Sequence, residues 1–508
     1  MRSPLLTATG LAGLALVAAA CADAAPYRGG AGQGQADDVA SSPRIYRAAT
    51  PTVADGTYDP SATDPARFVP VGSGASPSTA AASPAAPATI GQPRVPGTVG
   101  SLEGYPALKR FFESLARLEE GRAHDDVRVV QFGDSHTAAD FETGPIRRAL
   151  QTRFGDGGRG FVGIGHVYPH YVQEGLRVGS TKDFPSERGR YVKGKFVGDG
   201  LYGLGGASIA TSQHGARAWA ELTAKATKIE LSYLEQPHGG SFDVLVDGAK
   251  IAHVTTAGPA VRSGFQSFDV AEAGHHVEVR AAGDGDVRLY GMTLDRPQVG
   301  LTLDALGING ARVTTALQWN EAHLAEQLRH RAPDLVVLAY GTNEAGDDTT
   351  PATYERQLVD LLGRIARAVP TAACLIMGPP DRAARAHTPE HTWSTMPKLL
   401  EVIETQQRVA RAAGCAYYNQ LAAMGGEGSI VAWANEPNSR AQKDHVHLTR
   451  DGYAFLANTF AADVIRAYGT WRTDAGLLPS TVPVPVPASP SPAPVVPPPV
   501  PTSIANNE

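Results

Sequence analysis

The sequence predicts an α/β protein, a three-layer α/β/α sandwich built on a parallel sheet, with a separate β-sandwich inserted into it. Three observations carry this expectation. Apolar runs of strand length alternate with amphipathic helical patterns through residues 101–170 and 297–472. Between them, residues 171–296 lose the helical spacing and alternate with the period of two that marks half-buried strands. Residues 25–100 and the tail 473–508 are too poor in large apolar residues to offset the entropy of ordering them, which leaves the fold to the segments between.

The chain opens with Arg2 and an apolar stretch from Leu5 to Ala20, short for a bilayer span and flanked as an export signal is, so residues 1–24 read as a signal peptide. Two cleavage readings stand open. Ala22-Asp23-Ala24 has the small-x-small pattern of ordinary signal peptidase. Ala18-Ala19-Ala20-Cys21 resembles a lipobox with alanine in place of leucine, and would put a lipid anchor on Cys21. Either way the mature protein is expected outside the cytoplasm, periplasmic or attached to the cell envelope, with no transmembrane segment. Residues 25–100 are dominated by Ala, Pro, Ser, Gly and Thr and read as a disordered linker.

Val127 to Phe132 is an apolar run expected to be a buried strand, and a helix with Pro145 in its first turn should follow. Val299 to Leu306, Asp334 to Tyr340, Ala373 to Met377 and Cys415 to Asn419 read as further parallel strands. Tyr354 to Ala368, Lys398 to Ala413 and Gly452 to Ala467 space their apolar residues as helices that cover such a sheet. In the insertion, Ile229-Leu231-Tyr233, Phe242-Val244-Val246 and Val277-Val279 alternate as strands. Tyr202, Trp219 and Tyr233 there have two readings, core aromatics or a sugar-stacking platform. Residues 473–508 repeat Pro-Val and Pro-Ala steps, which favour extended polyproline II.

With 45 Lys plus Arg against 51 Asp plus Glu, the formal charge is -6, and no basic run tracks a phosphate backbone. Nucleic acid is therefore not an expected partner. The 3 cysteines do not make a disulfide scaffold. Cys374 and Cys415 begin consecutive predicted strands that a parallel sheet can set side by side, so a bridge and two buried thiols both remain open. His387 and His391 lack metal-ligand spacing, and neither metal nor cofactor is expected.

The chemistry lies in four motifs, Gly133-Asp134-Ser135-His136, Gly307-Ile308-Asn309-Gly310, Gly341-Thr342-Asn343-Glu344 and Asp444-His445-Val446-His447. Ser135 follows a predicted strand, where α/β sheets present ligands, and is the candidate nucleophile. A serine hydroxyl needs a base within reach and a third group to orient that base. His447 and Asp444 are suited to those roles, because one turn of chain can bring the carboxylate to the imidazole. The N–H groups of Ser135 and Gly310, with the Asn343 amide, can converge on an oxyanion. Gly307, Gly205 and Gly206 are alternatives to Gly310. Asp134 and His136 are candidates to line the site.

These motifs, in this order, resemble the SGNH (GDSL-like) hydrolase superfamily. The resemblance implies a flavodoxin-like sheet, Ser135, Asp444 and His447 as catalytic residues, and Ser135, Gly310 and Asn343 as the oxyanion hole. His136 replaces the usual leucine, and Glu344 stands where many members have aspartate. Gly133-Asp134-Ser135-His136-Thr137-Ala138-Ala139-Asp140, followed by Gly158-Arg159-Gly160-Phe161, looks like the subgroup of bacterial peptidoglycan O-acetylesterases. That likeness implies a jelly-roll-like, carbohydrate-binding-module-like insertion. It also implies an exported esterase that removes acetyl groups from a cell-envelope polysaccharide, peptidoglycan first. The alternatives are an O-acetyltransferase using the same acyl-enzyme, a lipid or aryl ester hydrolase, and a non-catalytic polysaccharide-binding protein.

Overall fold

The computed structural model describes residues 97–478 except 170, 193–194 and 386–391. The signal segment, Cys21, nearly all of the linker, the Pro-rich tail, His387 and His391 lie outside the described residues.

The central sheet has six strands in the order Leu102–Glu103, Ala416–Tyr418, Ala373–Met377, Leu335–Ala339, Val127–Gly133 and Leu301–Gly307. All pair in parallel except the short antiparallel edge at Leu102. A parallel sheet is buried on both faces, which is why its strands are apolar without alternation. Val130, Phe132, Val336, Leu338 and Ile376 pack in one core with Leu324, Leu328, Leu358, Leu362, Leu399 and Val402 of helices Glu321–Arg331, Pro351–Ala368 and Pro397–Ala413. Val127, Val129, Leu335, Val337 and Leu375 pack in a second core with Phe112, Leu115, Ile146, Leu150, Phe460 and Val464 of helices Lys109–Glu119, Thr143–Phe154 and Arg450–Asp474. Each fully buried side chain of this kind contributes about 1.5–3 kcal/mol. The layers are α/β/α.

The inserted strands form two further sheets. One runs in the order Arg262–Ala273, Ala226–Glu235, Val287–Asp295, Ala207–Thr211 and Ser186–Arg188. The other runs Ala249–Thr255, Ser241–Val246, His276–Ala281, Arg217–Leu222 and Leu176–Ser180. Ile229, Leu231, Tyr233, Phe242, Val244, Val246, Val277 and Val279 share the core of this sandwich, so the alternation in the sequence marks its inward faces. Tyr233 and Tyr202 are buried, and Trp219 lies over Gly179, where an added Cβ would come within 2.3 Å of its ring.

Several boundaries differ from the sequence expectation. Strand Gly158–Val162 pairs with Val287–Asp295 of the sandwich, although residues up to 170 read as catalytic domain. Its glycines hid it, because a strand rich in Gly carries no alternation. The same strand is tied to the central sheet by buried Asp304, which accepts from the Phe161 N–H at 2.7 Å and from Arg331 Nε at 2.6 Å. The last helix runs from Arg450 to Asp474, past the expected end at Ala467, and the helix that starts at Thr143 carries Pro145 in its first turn as expected. Val336 pairs with Cys374, and Leu375 with Ala416, which sets the two cysteine positions side by side, and Cys374 and Cys415 are joined by a disulfide.

Candidate active site

Register places the motifs before any side chain is considered. Gly133, at the end of its strand, pairs with Gly307 on one side and Ala339 on the other. The turns leaving three adjacent strands, which carry Ser135, Gly310 and Asn343, therefore emerge together. Ser135 begins the short helix Ser135–Ala138, capped by the Asp134 side chain, which accepts from the His136 N–H at 3.0 Å. That helix sits so close to the sheet that a Cβ on Gly307 would lie 2.2 Å from the Ala138 nitrogen. Gly307 is a close-approach glycine, and its carbonyl accepts from the Tyr168 hydroxyl at 2.6 Å.

Ser135 Oγ lies 3.1 Å from His447 Nε2, and His447 Nδ1 lies 2.7 Å from Asp444 Oδ2. With the Nδ1 proton donated to the carboxylate, Nε2 is left as the acceptor for the serine hydroxyl. The other oxygen, Asp444 Oδ1, accepts from the N–H groups of Val446 and His447, each at 3.0 Å. Burial pushes the Asp444 carboxyl up, but these bonds and the charge of His447 outweigh it and hold it at about 2. It stays ionised at neutral pH. Between the two residues His445 takes a left-handed φ of 56°, its ring stacked on Trp393 at 4.0 Å. The loop is closed by Gln442 N–H on the His447 carbonyl at 2.8 Å and leads into the helix capped by Thr449.

His136 packs behind the base. Its ring faces that of His447 with centroids 5.4 Å apart, and Nδ1 is 2.9 Å from the Tyr453 hydroxyl. Burial, then the neighbouring His447, lowers His136 to about 3, so it is a neutral imidazole at neutral pH. Asp134 is opposite in behaviour to Asp444. Burial raises it to about 6 against the bonds it accepts from His136 N–H and the Thr342 hydroxyl.

The remaining loops are strapped to each other. Asn343 Nδ2 donates to the Ala311 carbonyl at 2.9 Å, which fixes the amide plane and uses one of its two N–H bonds. Gly310 has φ 74°, the left-handed region that a side chain disfavours. Buried Glu344 accepts from Val313 N–H at 2.8 Å and from Gly341 N–H at 3.1 Å, joining the two loops. Arg312 adds a two-pronged bond to Asp347, at 2.6 and 2.7 Å. Of the alternative glycines, Gly206 spends its N–H on the Gly203 carbonyl at 2.8 Å, in a turn before strand Ala207–Thr211. Sequence reasoning missed Arg312, Asp347, Thr342 and Tyr453, and saw Glu344 only as a departure from aspartate. The only local signal was the acid beside the Gly-Thr-Asn turn. Among the described residues no group of three or more His, Cys, Asp or Glu is arranged to hold a metal ion.

Residues 273–455 match the GDSL-like lipase/acylhydrolase family. The match spans Gly310, Asn343, Asp444 and His447 and leaves out Ser135, which the inserted sandwich separates from them in sequence. No curated protein matches the chain. A solved peptidoglycan O-acetylesterase is 28% identical, with a TM-score of 0.60 over 73% of this chain and 100% of its own. Family two carbohydrate esterases from Clostridium thermocellum, in complex with cellohexaose, and from Cellvibrio japonicus are each 12% identical with TM-scores of 0.24. They cover 53% and 58% of this chain and 96% and 98% of theirs. The chain carries a GDSL-like SGNH hydrolase domain and is an ester hydrolase of that class, similar in structure to a peptidoglycan O-acetylesterase.

Proposed function

We propose that the protein is an exported serine esterase that removes O-acetyl groups from a cell-envelope polysaccharide, peptidoglycan first. The observation that carries this reading is the continuous line of hydrogen bonds from Ser135 Oγ through His447 to Asp444, in a chain whose structural likeness is to an enzyme of that activity. Ser135 Oγ attacks the acetyl carbonyl carbon while its proton passes to His447 Nε2. The charge that builds on the carbonyl oxygen is met by the Ser135 and Gly310 N–H groups and the second N–H of Asn343. Collapse breaks the ester bond, and the departing sugar oxygen takes the proton back from His447. Water, deprotonated by the same base, then releases acetate and restores the serine.

Asp444 holds the imidazole in the tautomer that exposes Nε2 and stabilises the imidazolium as it forms. The ionised state of its carboxyl supports that role. The export pattern at the start of the chain supports an envelope location, with Cys21 as a lipid anchor if the lipobox reading holds. Among the described residues no helix is long and apolar enough to cross a membrane.

Acetate released from O-acetylated peptidoglycan by the purified protein, beside its Ser135→Ala variant, tests the proposal. Release that requires Ser135 is the expected result. Cleavage of a small acetyl ester with no release from peptidoglycan overturns the substrate and leaves acetyl transfer or another glycan in its place.

A further inference from the structure

A second concave site lies where the sandwich meets the hydrolase domain. Helix Thr143–Phe154, strand Gly158–Val162 and the sandwich turn at Thr223–Lys225 enclose a cleft of about 350 Å³. Its cations are Arg147, Arg148, Arg159, Lys225 and Arg296, against the carboxylates of Asp156 and Glu174. Behind the wall, buried Asp140 is gripped by Arg147 at 3.0 and 3.1 Å and by Arg159 at 2.8 Å, and Glu272 takes Arg296 at 2.6 Å. Counting both of these, one cation is still in excess. It is Lys225, exposed on its turn and without an ion pair among the described residues.

The unfilled valences point the same way. Arg159, only 5% exposed, leaves Nη1 without a partner, and so does Arg296 at Nε. Gln173, whose Oε1 accepts from Arg159, leaves its Nε2 unpartnered as well. Every one of these groups is a donor. These donors stand behind the cleft wall, and together with the excess cation they leave the surroundings of the cleft richer in donors than in acceptors, which favours a ligand that only accepts. Planar guanidinium groups suit a planar carboxylate, taken two-pronged. Arg159 also belongs to Gly158-Arg159-Gly160-Phe161, a motif that the serine chemistry leaves unused. Its anchor, Asp140, lies in the segment directly after the helix that Ser135 begins.

We propose that this cleft is an anion subsite that holds a carboxylate of the polymeric substrate while its acetyl group lies at Ser135. The proposal rests on the reading of the substrate as an envelope glycan that bears carboxylates. Lys225 closes the subsite from the sandwich side, so the insertion takes part in choosing the polymer.

Calorimetry on the full chain carrying Ser135→Ala tests it, with soluble peptidoglycan fragments whose carboxylates are free or amidated. Free fragments should bind about tenfold or more tightly than amidated ones, the worth of one charge-assisted contact. Adding Lys225→Glu should erase that difference. Lys225 is exposed on a turn, so the variant tests the site and not the fold. In the enzyme with Ser135 intact, Lys225→Glu should lower the ratio of polymer to small-ester turnover by a similar factor. Equal binding of free and amidated fragments overturns the subsite, and so does a loss with Lys225→Glu that is the same for both. If the intact enzyme releases no acetate from peptidoglycan while Lys225-dependent binding persists, the catalytic substrate falls and the subsite stands.

Discussion

The segment before Ser135 and the loop before His447 each bring an aspartate to the site, Asp134 buried and Asp444 partly open to solvent, and the two are tuned in opposite directions. Burial raises both. At Asp444 the His447 imidazole and two backbone N–H groups more than repay it, and the carboxyl settles at about 2. At Asp134 the bonds from His136 N–H and Thr342 repay only part, and the carboxyl stands at about 6. The stability each contributes runs in opposite senses with pH. That of Asp444 is present above the ordinary carboxylate range and lost as pH falls through about 2. That of Asp134 is present at low pH and lost as pH rises through about 6. The lesson is one of placement. Firm negative charge sits on the far side of the imidazole, where it stabilises the imidazolium. Beside the nucleophile, where it would oppose the developing oxyanion, the charge is held less firmly and is given up as pH falls through about 6.

Breaking the two aspartates in turn is the direct trial of that contrast. Asp444→Asn keeps the shape but removes the charge and frees the wrong tautomer, and turnover should fall about 10⁴-fold, read on any small acetyl ester. A loss below tenfold would mean that His447 is oriented by something else. Asn343→Ala comes next. If its free N–H meets the oxyanion, turnover should drop about 10²- to 10³-fold with little change in KM. A near-normal rate would limit Asn343 to bracing the Ala311 carbonyl. Asp134→Asn keeps an acceptor for His136 N–H and for Thr342, and should cost less than about tenfold, in line with a cap and tether. A loss matching that of Asp444→Asn would erase the contrast and give Asp134 a part in the chemistry.

The contrast also shows what the sequence could reveal. The meeting of Ser135 and Asn343 is legible because each sits in a short motif at the end of an apolar run and the parallel register brings those ends together, whereas the Asp444-x-x-His447 pair is legible from its own spacing in the loop before helix Arg450–Asp474. Helical spacing reveals the covers Pro351–Ala368 and Pro397–Ala413 for the same local reason. The straps are not legible. Glu344 reaching Val313, Arg312 reaching Asp347 and His136 reaching Tyr453 join residues far apart in the chain, and nothing beside any of them announces its partner. The bridge between Cys374 and Cys415 was open in the sequence for the same reason, since only register decides whether two strands that can be neighbours are. Strand Gly158–Val162 was missed because its glycines have no side chains with which to alternate.

The smallest expected effect sits one step behind Asp134. Glu142 is fully buried with Gln420 Nε2 on its Oε1, and burial, helped by the nearby Asp134, lifts its carboxyl to about 8. A carboxyl raised in the folded state favours folding below its ordinary pKa of 4.5, and that contribution is lost as pH climbs through about 8. Glu142→Gln keeps the carbonyl that accepts from Gln420 and cannot ionise. Its Tm should match the parent at pH 5 and exceed it at pH 8, by about 2–4 °C for each kcal/mol recovered. An equal offset at both pH values would place the proton elsewhere. The same variant sharpens the comparison of the aspartates, because Glu142 is still protonated where Asp134 titrates, near 6, so its replacement should leave the ionisation of both Asp134 and Asp444 where it was, and a shift in Asp134 would place charge on Glu142 at lower pH.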